Sequence, residues 1–254
     1  MPATIQARLL DLNRQFYATV AGEFDLTRHG LPTGMIDLAG RIAAHARTNN
    51  QEAVRVLDVG CGNGRFARAL AQVGLAAEYL GIDADARLLA AAESQITSLP
   101  QVTTRLLQVD LAQRGWPEQL GGNEPLNASF DAVVCLAVLH HFPGLALRQR
   151  IVADLAHLLA PHGILALSTW QFLTSERLAA KQVDWAELGI EPADVEPGDA
   201  LLPWNQGTYA VRYVHQLEID EVETLARGAG LRVTDTFRAD GKEGNLNLYT
   251  LLQA

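Results

Sequence analysis

The residues most capable of chemistry form a glycine-rich loop near position 60. An apolar run ends around Asp58, glycines follow at positions 60, 62 and 64, and a helix-like run covers residues 67–73. This order predicts a buried parallel strand, a tight turn and a helix N-terminus, where backbone without Cβ atoms can approach a bound ligand closely. A dinucleotide fingerprint would need its third glycine one position later, where this chain has arginine.

Three further strand ends carry residues that could serve the same ligand. Asp83 ends a second apolar run, and Asp110 with Leu111 ends a third. In nucleotide-binding α/β folds, an acid at the end of the second strand hydrogen-bonds the ribose hydroxyls. A fourth apolar run, residues 130–139, leads into the pair His140-His141. Each aspartate alone could equally be a helix N-cap, so the prediction rests on the order of all four strand ends.

This arrangement resembles the first motifs of the class I S-adenosylmethionine (SAM) dependent methyltransferases. The resemblance implies SAM as cofactor, Asp83 on the ribose, and Asp110 facing the adenine amine with Leu111 packed on the ring. The residues expected to contact the cofactor are Asp58, Gly60, Cys61, Gly62, Asn63, Gly64, Asp83, Ala84, Asp110, Leu111 and Leu136.

Elements around these motifs are predicted from hydrophobic periodicity. Residues 4–24 and about 35–47 read as helices that fold over the site as a lid, although plain packing on the sheet explains their apolar faces equally well. Residues 51–170 alternate apolar runs and helical stretches, which predicts parallel strands with helices on both faces. Residues 171–254 hold an acidic surface insertion at 182–200, expected to be mobile, and antiparallel closing strands.

The predicted fold is therefore α/β, with a Rossmann-like, seven-stranded, mostly parallel sheet and an N-terminal helical lid, in one domain over 1–254. The 254 residues suffice for a sizeable core. We expect a cytoplasmic protein, because the N-terminus lacks an apolar signal core and no apolar run nears the ~20 residues that span a bilayer. The two cysteines do not resemble a disulfide framework, since Cys61 lies in the glycine loop and Cys135 in a predicted central strand. The net charge of −9 disfavours a general nucleic-acid surface.

A narrower resemblance is to the tRNA methyltransferases that esterify 5-carboxymethyluridine at the wobble position. It rests on four short stretches, with differences at Leu31-Pro32 and Val214. The resemblance implies a modified-tRNA acceptor and, as in eukaryotic members, a small activating partner subunit. The stretches are Asn13 to Arg28 at the N-terminus, Ala137 to Phe142 with Trp170 in the centre, Leu202-Pro203-Trp204 with Arg212-Tyr213-Val214-His215, and Gly244-Asn245.

Methylation of a carboxylate needs a cation more than it needs a strong base, since a carboxylate is already a nucleophile at neutral pH. Arginine suits this task because its planar fork can hold both oxygens. Arg28 and Arg212 are the candidates, and strand alternation predicts that Arg212 and His215 point to opposite faces. His140 or Trp170 is expected to wall the methyl-transfer region. No metal site is predicted, because adjacent histidines on an extended segment point opposite ways.

Three functions remain open from the sequence. The first is an O-methyltransferase acting on a carboxylate, on a small molecule or on modified tRNA. The second is a small-molecule O- or N-methyltransferase with the same donor site and a different lid. The third is a non-catalytic SAM-binding module that serves as a partner subunit; an intact set of strand-end acids argues against it.

Overall fold

The computed structural model describes residues 1–26, 30–121 and 129–254. Of the predicted site residues, Arg28 lies outside the described residues. Helices α1 to α7 are Ala3–Leu26, Thr33–Thr48, Arg65–Gln72, Ala86–Ile96, Leu145–His157, Glu176–Ala179 and Ile219–Gly228. Strands β1 to β9 are Val54–Val59, Ala77–Asp83, Val102–Gln108, Phe130–Leu136, Leu159–Trp170, Asp199–Trp204, Ala210–His215, Arg232–Ala239 and Asn247–Gln253. Short 3-10 turns cover Pro117–Leu120, Leu139–His141, Phe172–Thr174, Trp185–Leu188 and Pro192–Asp194.

The main sheet has seven strands in the order β3-β2-β1-β4-β5-β9-β8. Strands β1 to β5 run parallel, and β9 is antiparallel to both of its neighbours. This is the predicted Rossmann-like, mostly parallel sheet with helices on both faces. Because β1 lies between β2 and β4, the carboxyl ends of these strands meet at one edge, as ligand sites in open α/β sheets require.

Both faces of the sheet are covered by apolar side chains, as parallel strands require. Val56 of β1 packs toward α2, α3 and α4, whereas its neighbour Leu57 packs toward α5 and α7. Helix α2 buries Leu38 and Ile42 in the first of these layers. Helix α2 thus packs on the sheet, while the role of the N-terminal helices as a lid stays a prediction.

Two predictions about the C-terminal third are wrong. The first of the expected closing strands, β7, does not join the main sheet; it pairs with the unpredicted β6 in a separate two-stranded sheet. The acidic segment 182–200 is packed rather than loose. Its Ile190 is 2% exposed and contacts Leu9 of α1 and Tyr213 of β7 in one apolar cluster. The acidic composition of the segment led to the prediction that it is mobile. A few apolar residues are nevertheless enough to dock a short segment on the protein.

Within the described residues, none of the helices combines the length and apolar content that crossing a bilayer demands. Cys61 and Cys135 are both free thiols and buried, as expected.

The packing of segment 182–200 is tested by Ile190→Ala. Removing this buried side chain should lower the free energy of unfolding by about 2–4 kcal/mol, because lost burial and a cavity both add to the cost. Urea unfolding measures the change, with the exposed Glu187→Ala as matched control, expected within about 0.5 kcal/mol of the parent. An Ile190→Ala protein as stable as the control would show that the segment is not docked.

Candidate active site

The glycine loop between β1 and α3 is shaped by three left-handed residues: φ is 72° at Gly60, 55° at Gly62 and 77° at Gly64. A Cβ at Gly60 would lie 2.3 Å from Val138, so this glycine permits close packing against the segment after β4. A Cβ at Gly62 would meet no atom within 4 Å, because this position faces the open cavity. The loop therefore presents bare backbone to a ligand at Gly62.

The end of β2 is joined to this loop by Asp83. Its Oδ2 accepts a hydrogen bond from the Gly62 N–H at 2.9 Å, and its Oδ1 accepts from the Asp85 N–H at 2.9 Å. Burial raises the pKa of Asp83, against the lowering effect of these backbone hydrogen bonds. A carboxylate held in this way is fixed in orientation and suited to hydroxyl donors.

Asp58 lies deeper, at the end of β1, and is 2% exposed. It accepts a hydrogen bond from the Tyr79 hydroxyl at 2.6 Å. Burial raises the pKa of Asp58 to about 7, although the Tyr79 hydrogen bond acts in the opposite direction. A nearby cationic ligand would stabilise the ionised form of this group.

Asp110 follows β3 and marks the far side of the site. Its Oδ1 accepts from the Ala112 N–H at 2.9 Å, and its Oδ2 accepts from Arg14 of α1 at 3.1 Å. Arg150 of α5 donates to three carbonyl oxygens of the same loop, those of residues 111–113. The loop that carries Asp110 is therefore tied both to α5 and to α1.

These strand ends open into one cavity of about 780 Å³. The volume lies in the upper part of the ~300–1,000 Å³ range of small-molecule sites and leaves room for a cofactor and a small acceptor. Gly64 is an exception among the predicted cofactor residues: it does not line the cavity, because it packs where a Cβ would lie 2.8 Å from Ile96. The predicted residues that do line it are Asp58, Gly60, Cys61, Gly62, Asn63, Asp83, Ala84, Asp110, Leu111 and Leu136.

The other end of the cavity is aromatic and cationic, and includes the three described residues of the predicted catalytic set, His140, Trp170 and Arg212. The Arg212 guanidinium centre lies 4.9 Å from the Trp170 ring centre and 5.1 Å from that of Phe16. Arg212 is only 8% exposed, so its guanidinium belongs to the cavity wall rather than to the outer surface. His215 points to the opposite face of β7, as strand alternation predicted.

The two histidines, however, line the same cavity, and the expectation that they point opposite ways is wrong. Their segment is a 3-10 turn rather than an extended strand, and the ring centres lie 4.3 Å apart. The turn begins after Ala137, which has a left-handed φ of 57° and donates its N–H to both the carbonyl and the hydroxyl oxygen of Ser168. A non-glycine residue in this region is uncommon, and its backbone conformation has to be stabilised by the surrounding contacts.

Helix α1 forms another wall of the cavity, with residues that were not among the predicted site residues. Leu10, Asn13, Arg14 and Tyr17 all line the cavity. The Tyr17 hydroxyl lies 2.9 Å from His141 Nε2, and Arg87 of α4 donates to the carbonyl oxygens of Tyr17 and Ala18. Asn13, Arg14 and Tyr17 follow Leu10 by three, four and seven positions, a spacing that places all four residues on one helix face. This spacing is the sequence signal from which they could have been predicted.

Comparisons with known proteins agree with this geometry. Residues 57–165 match a family described as a methyltransferase domain. The chain is similar to ubiquinone biosynthesis O-methyltransferases of Paracidovorax citrulli (32% identical over 184 residues, 72% of this chain and 65% of the relative) and Xylella fastidiosa (39% over 182 residues, 71% and 62%). The chain matches less than two thirds of the length of each of these two relatives, and 42% of the length of a similar enzyme from Xanthomonas campestris.

Solved methyltransferase structures share the fold. One is a SAM-dependent methyltransferase from Clostridium acetobutylicum, with a TM-score of 0.64, 14% identity and coverage of 93% of this chain and 98% of that one. Another is a SAM-bound amino pentose methyltransferase from Micromonospora echinaspora, with a TM-score of 0.58, 20% identity and coverage of 93% and 97%. The bare backbone at Gly62 and the acids of neighbouring strand ends fit the SAM that such folds bind.

The buried carboxyl of Asp58 predicts a pH-dependent stability. Because the folded protein holds this proton more tightly than the unfolded chain, the free energy of unfolding falls as the pH rises from the ordinary value of 3.8 to about 7. Asp58→Asn should therefore gain stability relative to the parent across this interval, by an upper limit on the order of 4 kcal/mol. Urea unfolding at several pH values measures it. The exposed Asp37→Asn should run parallel to the parent, and the same parallel behaviour in Asp58→Asn would contradict the raised pKa.

Proposed function

We propose that this chain, which carries a class I SAM-dependent methyltransferase domain, transfers the methyl group of SAM to a carboxylate oxygen of a small acceptor. The donor would lie along the strand ends that hold Asp58, Gly62, Asp83 and Asp110. The acceptor would occupy the aromatic end of the same cavity, beside Arg212.

The observation that carries the proposal is the position of Arg212. It is a nearly buried guanidinium in a cavity that Trp170, His140 and Tyr17 also line. A cation in such a low-dielectric cavity favours an anionic partner, and a guanidinium can hold a carboxylate through two parallel hydrogen bonds. Aromatic walls exclude water and strengthen that pairing.

The chemistry that such a site must supply is modest. Bound SAM supplies an electrophilic methyl group on a sulfonium sulfur. One carboxylate oxygen of the acceptor forms a bond to the methyl carbon as the carbon–sulfur bond breaks, and the electron pair remains on sulfur. No proton is transferred. The contribution of Arg212 would be to hold and orient the acceptor so that attack is in line, an effect of positioning.

A small acceptor is favoured over tRNA by charge. The chain has 29 acidic and 20 basic residues, whereas nucleic-acid binding depends on phosphate neutralisation by lysine and arginine. The similar ubiquinone biosynthesis enzymes are named O-methyltransferases, which also favours oxygen as the acceptor atom. A hydroxyl acceptor is the second candidate. A hydroxyl loses its proton on methylation, and His141, hydrogen-bonded to Tyr17, could accept that proton as a general base.

Alkaline lability of the product distinguishes these functions. The protein is incubated with methyl-labelled SAM and either a metabolite extract or bulk tRNA, and the products are treated with mild alkali. A carboxylate methyl ester releases volatile labelled methanol, whereas a methyl ether or methylamine retains its label. Volatile label from the extract supports the proposal. Alkali-stable label, label in tRNA, or SAM binding without transfer to either pool would overturn it.

Arg212 is tested by substitution. Arg212→Gln should reduce kcat/KM for the acceptor roughly 100-fold, because a charge-assisted pair is lost, while SAM affinity stays unchanged. Arg212→Lys should recover only part of the activity, since it lacks the planar fork. Arg232→Gln, on the exposed end of β8, is the matched control. Parallel loss of SAM affinity and activity would argue for a structural role instead.

Asp83 tests the donor end. Asp83→Ala should weaken SAM binding by ~1.5–3 kcal/mol, because hydrogen bonds to the ribose and to Gly62 are both removed. Isothermal titration calorimetry measures this, with the exposed Asp220→Ala as control. Unchanged affinity would place the cofactor elsewhere.

A further inference from the structure

A buried ionic cluster lies behind the strand that carries Arg212. It centres on His215, which is 1% exposed in its side chain. We call it the His215 cluster, and it joins β6, β7, α5, α7 and the segment before β6. Its members are Arg148, Glu196, Asp199, Tyr213, His215 and Glu221.

Both ring nitrogens of His215 face carboxylate oxygens. Nδ1 lies 2.7 Å from Asp199 Oδ1, and Nε2 lies 2.8 Å from Glu221 Oε2. Asp199 accepts at both oxygens, from the Tyr213 hydroxyl and from the Glu196 N–H, and Glu221 is paired with Arg148. Because both carboxylates act as acceptors, both ring nitrogens must donate, and only the imidazolium ion can do so.

The charges of the cluster favour the same protonation state. Three carboxylates, those of Glu196, Asp199 and Glu221, face the guanidinium of Arg148 and the ring of His215. Burial acts to lower the pKa of His215, but the hydrogen bonds to Asp199 and Glu221 outweigh it, and the pKa is raised. Loss of the ring proton would leave two acceptors facing a ring that has only one donor, with almost no water to compensate.

Strand β7 connects this cluster to the cavity. His215 and Arg212 lie on the same short strand, paired with Asp199 and Leu202 of β6. Tyr213, between them, exchanges hydrogen bonds with the Asn13 side chain of α1: its N–H donates at 2.8 Å and its carbonyl accepts at 3.1 Å. The position of β7 thus fixes Arg212 and one wall of the cavity together.

We propose that protonated His215 is a positioning residue, which holds β7 and therefore Arg212 against the acceptor end of the cavity, so that acceptor binding weakens as the pH rises. The inference rests on the proposed function for the identity of the acceptor site. The protonation state of His215 and the position of β7 do not depend on it. As the pH rises through the raised pKa, the proton is lost, Asp199 and Glu221 repel each other, and β7 loosens.

The ring itself is examined first, by NMR of ¹⁵N-histidine-labelled protein with His215→Gln to assign the signal. The His215 ring should lose its second proton only above its ordinary pKa of 6.5. In Glu221→Gln, which keeps the ring but removes one carboxylate, its titration should move down by about one pH unit. A ring that titrates at or below the ordinary value, or a titration unmoved by Glu221→Gln, would overturn the inference.

The coupling to the cavity is read in two ways. The difference in tryptophan emission between the parent and Trp170→Phe reports on the surroundings of Arg212. As the pH rises, this difference should change with the same midpoint as the titration of the His215 ring.

The second readout is methyl transfer. The amount of metabolite extract that half-saturates alkali-labile methyl transfer should rise about tenfold in His215→Gln, with SAM affinity unchanged. In Glu221→Gln the alkaline loss of transfer should move down by about one pH unit.

The outcomes separate the two proposals. If no alkali-labile transfer occurs, the proposed function fails while the ring and emission titrations still test the coupling. If transfer occurs but its half-saturation does not change with pH, the His215 inference fails alone. Should His215→Gln not fold, the Glu221→Gln shift decides.

Discussion

The hydrogen bond from the Gly62 N–H to the Asp83 carboxylate is the contact on which the arrangement of the site depends. It joins the loop after β1 to the end of β2, and a second bond from the Asp85 N–H orients the same carboxylate toward the start of α4. Two strand ends, a loop and a helix N-terminus thus meet at one side chain. The cavity lies where these elements converge. The pairing of neighbouring strands is therefore enough to bring the proposed cofactor residues together.

The proposed acceptor end is formed by parts of the chain that lie far apart in sequence. Its walls come from α1, from the turn after β4, and from β7, which belong to the first, middle and last thirds of the chain. Asn13 bonds both Tyr213 and the carbonyl of His141, so one amide side chain holds all three. The proposed donor half therefore lies on the main sheet, whereas the proposed acceptor half is assembled from elements outside that sheet.

This difference explains what could be predicted from sequence. Apolar runs ending in Asp58, Asp83 and Asp110 predicted strands β1 to β3, because strand ends and loops follow local patterns. The 3-10 turn at 139–141 was missed, since the left-handed Ala137 depends on contacts with Ser168 in β5. Strand β6 pairs with β7, its neighbour in sequence, and was missed because Pro203 argues against a strand. The docking of Ile190 was missed because Leu9, in the same apolar cluster, is distant in sequence. The orientation of Arg212 was predicted from strand alternation, but its aromatic surroundings required the fold.

The bond between Asn13 and Tyr213 joins residues 200 positions apart in the chain. Closing such a long loop carries a large entropic cost, and contacts of this range slow folding. During synthesis, α1 is made long before β7, whereas the strands that carry Asp58 and Asp83 follow α1 closely and can pair early. The newly made chain therefore acquires the proposed donor half of its cavity before the proposed acceptor half, and the face of α1 that contacts β7 stays uncovered until β7 has been made.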